Sequence, residues 1–590
     1  RHNSFNENTH RFFGNTFVEY TPRIDWSSDK KLSTRWQIGI DAYTSRYKNI
    51  YEYGSQGQAG SIESNGVTNV IFNSLFTVNY EMNITDDWHL TAMVGNEINQ
   101  ENKAFYEDYG QSFNFGGNPT IQNTAIQSAS TSVLRARTVG FFGNATLSWR
   151  DQAYLNVTGR EDVVSTMPRG HRAFFYPSVS VAYVLTELEP LRGNPVLTFA
   201  KVRGSFAQVG QAGRYYNNYY VTPSYTGGFW SNPPILYPLN GITAYVPYAE
   251  LYDPDLTPQN TNSFEAGFDL RLFHNRLAAS YTFSRQNIKN QIFPVPLAGS
   301  TGAAQYVTNG GKIHTDAHEI ELNGEIYSTA DITWDLGVNF TVIRNRVDEL
   351  APGVTNIFLG GFVTPQVRAG VGDYYPVIYG TAFKRDSQGR ILVDEDPNSA
   401  TYGMPMASGN PQVIGQCAPD FTMGINTSFR YKRLSLSATF SWRHGGDMYS
   451  GTNGLMDLYG ISKKTEERTT PFVYPGYKAD GTPNDIVRGG ADDAGAYETL
   501  YADVLGNIDE SYIYDASFFK LRDLTVKYQF PRVGIFDISL FAFARNVLLW
   551  AKMPNLDPES SQGNNNMSGT FERFSLPQTS SYGGGLTVTF

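Results

Sequence analysis

The chain has 590 residues, a formal net charge of −10 and a single cysteine, Cys417. Only 17% of its residues are charged and 14% are aromatic. The acidic balance disfavours a nucleic-acid partner, since a phosphate backbone calls for clustered Lys and Arg. One cysteine excludes an intramolecular disulfide, and the lack of any run of about 18 apolar residues disfavours helical membrane spans.

Alternation of apolar and polar residues predicts about 17 β-strands. In chain order they lie near residues 10–23, 34–50, 67–84, 88–106, 136–149, 153–163, 174–188, 196–208, 262–273, 277–290, 312–327, 332–347, 418–431, 434–447, 512–530, 535–550 and 580–590. Many exceed the five or six residues usual in soluble proteins and reach the roughly 9–11 residues with which a tilted strand crosses a bilayer.

The stretch FTMGINTSFRYKRLSLSATFSW, residues 421–442, shows the pattern most clearly. One face carries Phe421, Met423, Ile425, Thr427, Phe429 and Tyr431, and after the turn Leu434, Leu436, Ala438, Phe440 and Trp442. The other face is mainly Ser, Thr, Asn and Gly. In a soluble sandwich the apolar face would form the core, whereas in a membrane barrel it would face lipid.

The connections favour the membrane barrel. Short connections at 24–33, 85–87, 150–152, 189–195, 274–276, 328–331, 432–433 and 531–534 alternate with mostly long ones at 51–66, 107–135, 164–173, 209–261, 291–311, 348–417, 448–511 and 551–578. Strict alternation would place all short turns at one end and all long loops at the other, as in outer-membrane barrels.

Aromatic residues end several of the apolar faces, as girdles at the two membrane interfaces would require. They include Phe429, Tyr431, Phe440, Trp442, Phe530 and Trp550. Lone charges such as Glu81, Asp269 and Arg430 fall on the polar face. The fold predicted is therefore all-β, a transmembrane antiparallel up-and-down β-barrel with polar residues inward and Leu, Phe and Trp facing lipid.

Seventeen strands are an odd number, whereas single-chain bacterial barrels have an even number. An open sheet in lipid would leave edge N–H and C=O groups unpaired, at several kcal/mol each. We therefore expect residues 1–590 to be the C-terminal portion of a larger protein, with an odd number of N-terminal strands, any plug and any export signal lying before them.

Several segments occur in the order found in one family. They are YLNVTGREDVVSTMPRGHRAFFYPSVSVAYVLTE (154–187), KVRGSFAQVG (201–210), FKRDSQGRILVDED (383–396), RHGGDMYSGT (443–452), DASFFKLRDLTVKYQFP (515–531), ARNVLLW with DPE at 557–559, and LPQTSSYGGGLTVTF (576–590). Through them the chain resembles the SusC/RagA-type TonB-dependent outer-membrane transporters of Gram-negative bacteria. It departs from the family in having DVVS where Asp-x-Ser-Ser is usual.

The resemblance implies a 22-stranded barrel, of which 17 strands are present here and five precede the chain. It further implies an N-terminal plug, a segment that contacts TonB, and a SusD-type surface lipoprotein that caps the barrel as a lid. No cofactor or metal is implied. The multi-pass outer membrane of a Gram-negative bacterium is the implied location.

Enzyme-like constellations are weak. RHGGD, residues 443–447, lies where a strand passes into a loop, and its Gly-Gly pair favours a bend over a catalytic or metal role. The acidic segments 394–398 and 479–485 lack the ligand spacing of a calcium loop and are interpreted as turns. Gly583–Gly585 lie within a strand, where close approach of a neighbouring backbone explains them better than a phosphate loop.

Specificity is expected to reside in the long loops. The loop at 209–261 concentrates aromatic residues, which suit contact either with a lid partner or with a sugar or extended peptide. The candidates are Tyr215, Tyr216, Tyr219, Tyr220, Tyr225, Phe229 and Trp230. Partner contact is the favoured interpretation, with loops 348–417 and 448–511 as further docking candidates.

The function predicted is TonB-dependent import of an oligosaccharide or peptide together with a SusD-type lipoprotein, and not catalysis. Two alternatives stay open at this point. One is a siderophore- or cobalamin-type receptor that needs no lid, and the other is a soluble all-β surface-binding protein.

Overall fold

The computed structural model describes residues 3–22, 30–55, 58–221, 238, 240–562 and 569–590. Seventeen long strands belong to its main sheet. They are β1 (Ser4–Tyr20), β2 (Lys30–Tyr51), β3 (Ser61–Thr85), β4 (Trp88–Phe113), β5 (Thr124–Trp149), β6 (Ala153–Val164), β7 (Ala173–Val184), β8 (Leu197–Gln211), β9 (Gln259–Leu272), β10 (Leu277–Lys289), β11 (Lys312–Ser328), β12 (Ile332–Glu349), β13 (Phe421–Tyr431), β14 (Leu434–His444), β15 (Phe518–Gln529), β16 (Asp537–Ala551) and β17 (Ser581–Thr589).

The remaining elements lie in the connections. Short strands are Tyr220–Val221, Val246–Pro247, Glu250–Tyr252, Ile292–Pro296, Gln305–Asn309, Asn356–Gly361, Gln366–Gly370, Val377–Gly380, Gln412–Gln416, Asp447–Ser450, Ile513–Asp515 and Phe571–Glu572. Helix α1 (Gly451–Leu458) begins at Ser450, whose hydroxyl accepts the Asn453 N–H, and α2 (Ala496–Glu498) continues into a π-turn, Thr499–Val504. Helical 3₁₀ turns are Ile121–Asn123, Arg169–His171, Leu185–Glu187, Gly299–Thr301, Lys463–Thr465, Leu505–Asn507 and Asp509–Tyr512. Across the described ranges, no helix is both long enough and apolar enough to span a bilayer.

Two compact units divide the chain. The first comprises residues 1–183, 204–263 and 288–310, and the second 184–203, 264–287 and 311–590. Within the first, β1 to β7 pair antiparallel in chain order. Within the second, β11 to β17 do the same, although long connections separate β12 from β13 and β14 from β15. The prediction of consecutive antiparallel hairpins is confirmed.

Strand ends depart from the sequence prediction in the first unit. Strands β3, β4 and β5 run for 25, 26 and 26 residues, so most of the segment predicted as a loop at 107–135, and part of that at 51–66, is strand. Backbone pairing continues there although the side chains, such as Ser128, Ser130 and Ser132, are polar. The predicted strict alternation of short and long connections is also wrong in detail. The connection at 165–172, which was predicted to be long, is shorter than the one at 185–196, which was predicted to be short.

The predicted strand at 512–530 is also interrupted. The Asp515 carboxylate accepts the Ser517 N–H at 2.8 Å, which closes a turn between Ile513–Asp515 and β15. Local side-chain bonding of this kind competes with the strand ladder. The predicted close approach of a neighbouring backbone is found at Gly584, where a Cβ would meet the Phe541 carbonyl. Gly583 and Gly585 instead make room for the rings of Phe543 and Phe541.

Most buried apolar clusters lie in the connections, and one, formed by Ile50, Ile62 and Phe113, lies at the ends of β2, β3 and β4. The largest joins Phe383, Met404, Ala496, Leu500, Val504, Leu505 and Ile508. Others centre on Phe571, on Met448 and on Phe113. By contrast, Leu434, Leu436 and Trp442 of the β13–β14 hairpin are 44%, 40% and 38% exposed. Among the residues that the structure describes, no second sheet covers them, so the sandwich interpretation fails for this face.

Candidate functional surfaces

The apolar face of the first unit forms a continuous uncovered band. On β4 it runs from Trp88 through Leu90, Ala92 and Val94 to Ile98, and β3 and β5 place apolar residues opposite most of these positions. Val94 is 59% exposed and Phe141 is 57% exposed. At the short-turn end, the rings of Trp88 and Trp149 lie 6.3 Å apart. A band of this kind, ended by paired indoles, suits contact with lipid.

The polar face of the same strands holds ion pairs. Arg160 donates to Glu97 at 2.9 Å and to Asp162 at 2.8 Å. Arg11 pairs with Asp41 at 2.6 Å. Charges therefore concentrate on the face opposite the apolar band, as the alternation predicts.

In the second unit, a buried ion network fixes one long connection to the polar face of β15. The ammonium of Lys520, 3% exposed, lies 2.7 Å from both carboxylate oxygens of Asp557 and also donates to Glu559. Arg522 donates to both oxygens of Glu559. Burial raises the pKa of Glu559, but the Arg522 and Lys520 cations outweigh it and hold this pKa below its ordinary value. Asp557 and Glu559 are the acidic residues of the DPE segment.

Tyr252 is the centre of the aromatic cluster in the connection at 212–258. Its side chain is buried, and the rings of Tyr215 and Tyr216 meet it edge-on at 6.1 and 5.6 Å. Asn218 holds its backbone by accepting the Tyr252 N–H at 2.8 Å and donating to the Tyr252 carbonyl at 3.2 Å. Burial and the neighbouring Glu250 carboxylate raise the pKa of Tyr252, so its phenol stays protonated and donates to Glu250.

The remaining described tyrosines line the outside of this cluster. Tyr219 stacks on Tyr248 at 4.7 Å, and burial together with Tyr248 raises its pKa. Tyr220, in a short strand paired with Val246–Pro247, is 71% exposed. The structure thus brings Tyr215, Tyr216 and Tyr219 together around a support and leaves Tyr220 exposed. Such rings can stack on a sugar or pack against a protein, with hydroxyls at their tips.

Three of the predicted residues, Tyr225, Phe229 and Trp230, lie outside the described residues. The sequence reasoning did not single out Tyr248, Glu250 and Tyr252, which support the cluster. A signal existed, since the segment YVPYAELYDPD at 245–255 repeats aromatic residues at close spacing. The sequence did not show that residues 245–255 fold back onto residues 215–220.

Residues 350–420 and 445–517, which we call the paired loops, contact one another through a core and through polar bonds. Arg385 binds Glu510 with two bonds of 2.8 and 2.9 Å, and Asp509 accepts the Thr381 N–H at 2.8 Å. A cavity of about 270 Å³ lies beside α1. Its lining includes Tyr459, Tyr497, Tyr501 and Arg468.

The RHGGD segment has a structural role in this region. Gly445 and Gly446 adopt φ of 75° and 81°, which confirms the predicted bend. Arg443 donates to the Cys417 carbonyl at 2.9 Å, and Asp447 accepts the Gln416 N–H at 2.8 Å. Burial raises the pKa of Cys417 to about 12, so its thiol is protonated at neutral pH. Within the described part of the chain, no group of three or more His, Cys, Asp and Glu could hold a metal ion.

Comparison with known proteins gives consistent matches. The family described as TonB dependent receptor-like, beta-barrel, matches residues 1–547. A TonB-dependent receptor, P3, of Formosa agariphila is 24% identical over 460 residues, covering 72% of this chain. The TonB-dependent receptor SusC of Bacteroides thetaiotaomicron is 22% identical over 449 residues, again 72% of this chain. A structure described as the RagAB peptide transporter superposes over the whole chain with a TM-score of 0.74 at 17% identity.

The chain is shorter than these relatives. It covers 42% of receptor P3 and of SusC, and 62% of the matched RagAB chain. The structural likeness shows a shared fold, the antiparallel β-barrel predicted from the sequence. The sequence matches support the predicted SusC/RagA type.

Proposed function

Since the chain belongs to the TonB-dependent receptor-like β-barrel family, we propose that the intact protein imports an oligomeric nutrient across the outer membrane of a Gram-negative bacterium. The nutrient is an oligosaccharide or a peptide. The relatives named SusC and RagAB, the latter described as a peptide transporter, support this range of substrates. The family is one of receptors and not of enzymes.

The observation that carries the proposal is the uncovered apolar face of the long strands. Side chains such as Val94 and Phe141 are more than half exposed in a band ended by Trp88 and Trp149. Exposed apolar area on this scale is disfavoured in water and favoured in hydrocarbon. The polar face, with Arg160, Glu97 and Asp162, then lies toward a water-filled interior.

Energy for import is proposed to come from TonB acting on a plug. In this proposal the plug and the TonB-contacting segment are carried by parts of the intact protein other than residues 1–590, in keeping with the greater length of the relatives. A SusD-type surface lipoprotein is the proposed lid. Substrate is caught between lid and barrel and admitted when TonB displaces the plug.

The tyrosine cluster is proposed as a contact for the lid. Tyr216, Tyr219 and Tyr220 are 42%, 44% and 71% exposed while Tyr252 beneath them is buried. Rigid exposed tyrosines on a packed support are favoured at protein interfaces. Direct contact of these rings with substrate is the competing assignment.

An uptake measurement in the native host tests the import function. Cells lacking the full gene should lose uptake of fluorescent oligosaccharides or peptides, and a protonophore should abolish the uptake in the parent strain. Uptake that persists after collapse of the proton gradient would contradict TonB dependence. Uptake without any copurifying lipoprotein would favour the receptor that needs no lid.

A matched pair of variants tests the assignment of the tyrosine cluster. Tyr220→Ala is compared with Tyr245→Ala, since Tyr245 lies in the same connection and is 68% exposed. If the cluster contacts the lid, Tyr220→Ala weakens lipoprotein copurification by about tenfold, as for a residue worth more than 1 kcal/mol at an interface. Full copurification with lost substrate affinity would instead assign the ring to the substrate.

A further inference from the structure

Two arginines lie on the face of β5 that carries Val133, Val139 and Phe141. Arg137 comes two residues after Arg135 and two before Val139, so all three side chains are on the face that carries Phe141 and Trp149. Both arginines are exposed. An arginine on a lipid-facing surface costs about 2–4 kcal/mol at the bilayer midplane and close to nothing at the interface. The cost of placing these two arginines on this face therefore depends on their depth in the bilayer.

The strand geometry places the pair at the border of the apolar band. Arg137 is twelve residues from Trp149, at the short-turn end of β5. At about 3.3 Å per residue and a tilt near 45°, this separation spans about 28 Å along the membrane normal, against an apolar band about 25 Å tall. Arg137 thus reaches the level of the headgroups on the side opposite Trp149, and Arg135 lies slightly above it.

The neighbouring strands make this level polar as well. Gln100 and Asn102 of β4 lie directly opposite Arg137 and Arg135. The Arg137 Nε donates to the Gln100 Oε1 at 2.9 Å, and the backbone N–H of Arg137 donates to the Ser165 hydroxyl at 2.8 Å. The bonds to Gln100 orient the Arg137 guanidinium and leave both positive charges unneutralised, because an amide oxygen carries no charge.

Carboxylates do not balance these charges. In the part of the chain that the structure describes, neither arginine has a carboxylate oxygen within 4.0 Å. On this face of β4 to β6, the acidic positions are Glu161, opposite Phe141, and Asp108, opposite Ala129. Each is four or more residues along the strand from the arginine level, about 13 Å or farther. Two like charges therefore stand about 7 Å apart at the edge of a low-dielectric phase, where an anion between them is strongly favoured.

An open groove of about 750 Å³ adjoins the pair. Its lining combines Arg135, Arg137, Gln100 and Asn102 with the apolar Val70 and Val133. Guanidinium groups bind phosphate with paired hydrogen bonds, and amides bond hydroxyl and amide groups. The groove thus offers an anion site, neutral polar contacts and apolar wall in one place.

We propose that this groove binds the phosphate headgroup of an outer-leaflet lipid, with Arg135 and Arg137 holding the phosphate. Gln100 and Asn102 contact the sugar or hydroxyl groups next to it, and the acyl chains follow the apolar band below. The lipid is identified by its position, since the groove opens on the face that carries the band. The inference rests on the proposed placement of the barrel in the outer membrane and assigns a lipid site on its outer wall.

Native mass spectrometry of the full-length protein, released from nonionic detergent, tests the site. The probes are lipid A with phosphate monoesters, the same lipid after enzymatic removal of its phosphates, and inorganic phosphate. The parent protein should retain phosphorylated lipid A at least about tenfold more tightly than the dephosphorylated lipid, because removal of the phosphates removes the charge-assisted hydrogen bonds to both guanidinium groups. Inorganic phosphate alone should not be retained, and equal binding of inorganic phosphate would overturn the assignment to a lipid.

Arg135→Gln with Arg137→Gln should remove that preference, and the matched control is Arg150→Gln, which deletes the same charge at the other end of β5. Arg137→Lys should keep part of the preference, since it keeps the charge. Heat-resistant migration on a gel checks that each variant is folded. An unchanged preference in the double variant, or a change of particle mass showing that another protein chain covers the groove, would overturn the proposal.

Failure of the membrane placement gives a different result. In that case neither form of lipid A is retained, and the folded protein stays in solution without detergent. Failure of the lipid site alone leaves the detergent requirement intact and both lipids equally bound.

Discussion

In the long strands the large apolar side chains lie on an uncovered face, whereas in the paired loops they are enclosed. Val94 of β4 is 59% exposed, while Met404 and Ile508 of the paired loops are 0% and 1% exposed. The strands are joined by continuous backbone ladders, and the paired loops by a cluster of buried side chains and by bonds such as Arg385 to Glu510. The contrast shows that one chain combines strands whose apolar face is left uncovered with a region that carries its own core.

Removal of the buried ammonium at Lys520 should have the largest effect, because Lys520 joins a long strand to a connection. Lys520→Met leaves Asp557, 10% exposed, without its cation. Breaking a buried pair in this way costs about 3–5 kcal/mol. Hydrogen exchange of residues 552–562 should rise accordingly in the variant.

The control is Lys552→Met, since Lys552 pairs with Asp515 at 2.6 Å with both side chains well exposed. That pair is expected to contribute at most about 1 kcal/mol. Equal exchange in the two variants would show that the Lys520 network does not hold the connection.

Truncation of the paired-loop core should come next. Ile508→Ala removes a fully buried side chain and should cost about 2–5 kcal/mol. Because this core is separate from the strand ladders, amide exchange should accelerate in the paired loops and stay unchanged in β13 and β14. Ile461→Ala is the matched control, since Ile461 lies in the same region and is 69% exposed. Accelerated exchange in the strands would mean that the two regions unfold together.

A charge introduced on the apolar face tests whether that face contacts lipid or water. Val94→Arg places a guanidinium near the middle of the band and should lower the free energy of unfolding from lipid vesicles by about 2–4 kcal/mol. Thr91→Arg, on the polar face of the same strand, should lower it much less. A guanidinium titration of the full-length protein in vesicles measures both. If Val94→Arg were no worse than Thr91→Arg, the band would not face hydrocarbon.

Acid should weaken the Lys520 network with a predictable sign. The Arg522 and Lys520 cations hold the folded pKa of Glu559 below its ordinary value despite the opposing effect of burial. A depressed folded pKa stabilises the fold fully above the unfolded pKa, about 4.3 for Glu, and this stabilisation is lost as the pH falls through the folded value. Exchange of residues 552–562 should therefore be constant from neutral pH to about 5 and rise below about 4.

The Glu559→Gln variant, which cannot titrate, should show a flat profile over the same range. A parent profile that is equally flat would remove Glu559 from the account of stability. This effect is smaller than the others, since Glu559 remains partly exposed.

The hairpin at 421–442, the tyrosine cluster and the DPE segment differ in how completely the sequence predicts them. The hairpin at 421–442 was predicted to within a few residues at each end, and its uncovered apolar face was anticipated from Leu434, Leu436 and Trp442. Of the predicted tyrosines, Tyr215 and Tyr216 pack on Tyr252, and this support, together with Asn218, was not foreseen. The DPE segment contributed to the family resemblance without revealing that Asp557 binds Lys520, which lies 37 residues earlier.

The alternation along the sequence was enough to predict most of the strands and their two faces, because side chains alternate with a period of two and each residue's face follows from its neighbours. The family resemblance came from the ordered motifs. Which parts of the connections meet, such as Thr381 with Asp509 and Tyr216 with Tyr252, becomes visible only in the folded chain. Contacts of that kind depend on how distant segments pack, and no local periodicity encodes them. The position of Arg135 and Arg137 needs both sources. The alternation in the sequence gives the face on which they lie, and the full length of β5 in the structure gives their height along the membrane normal.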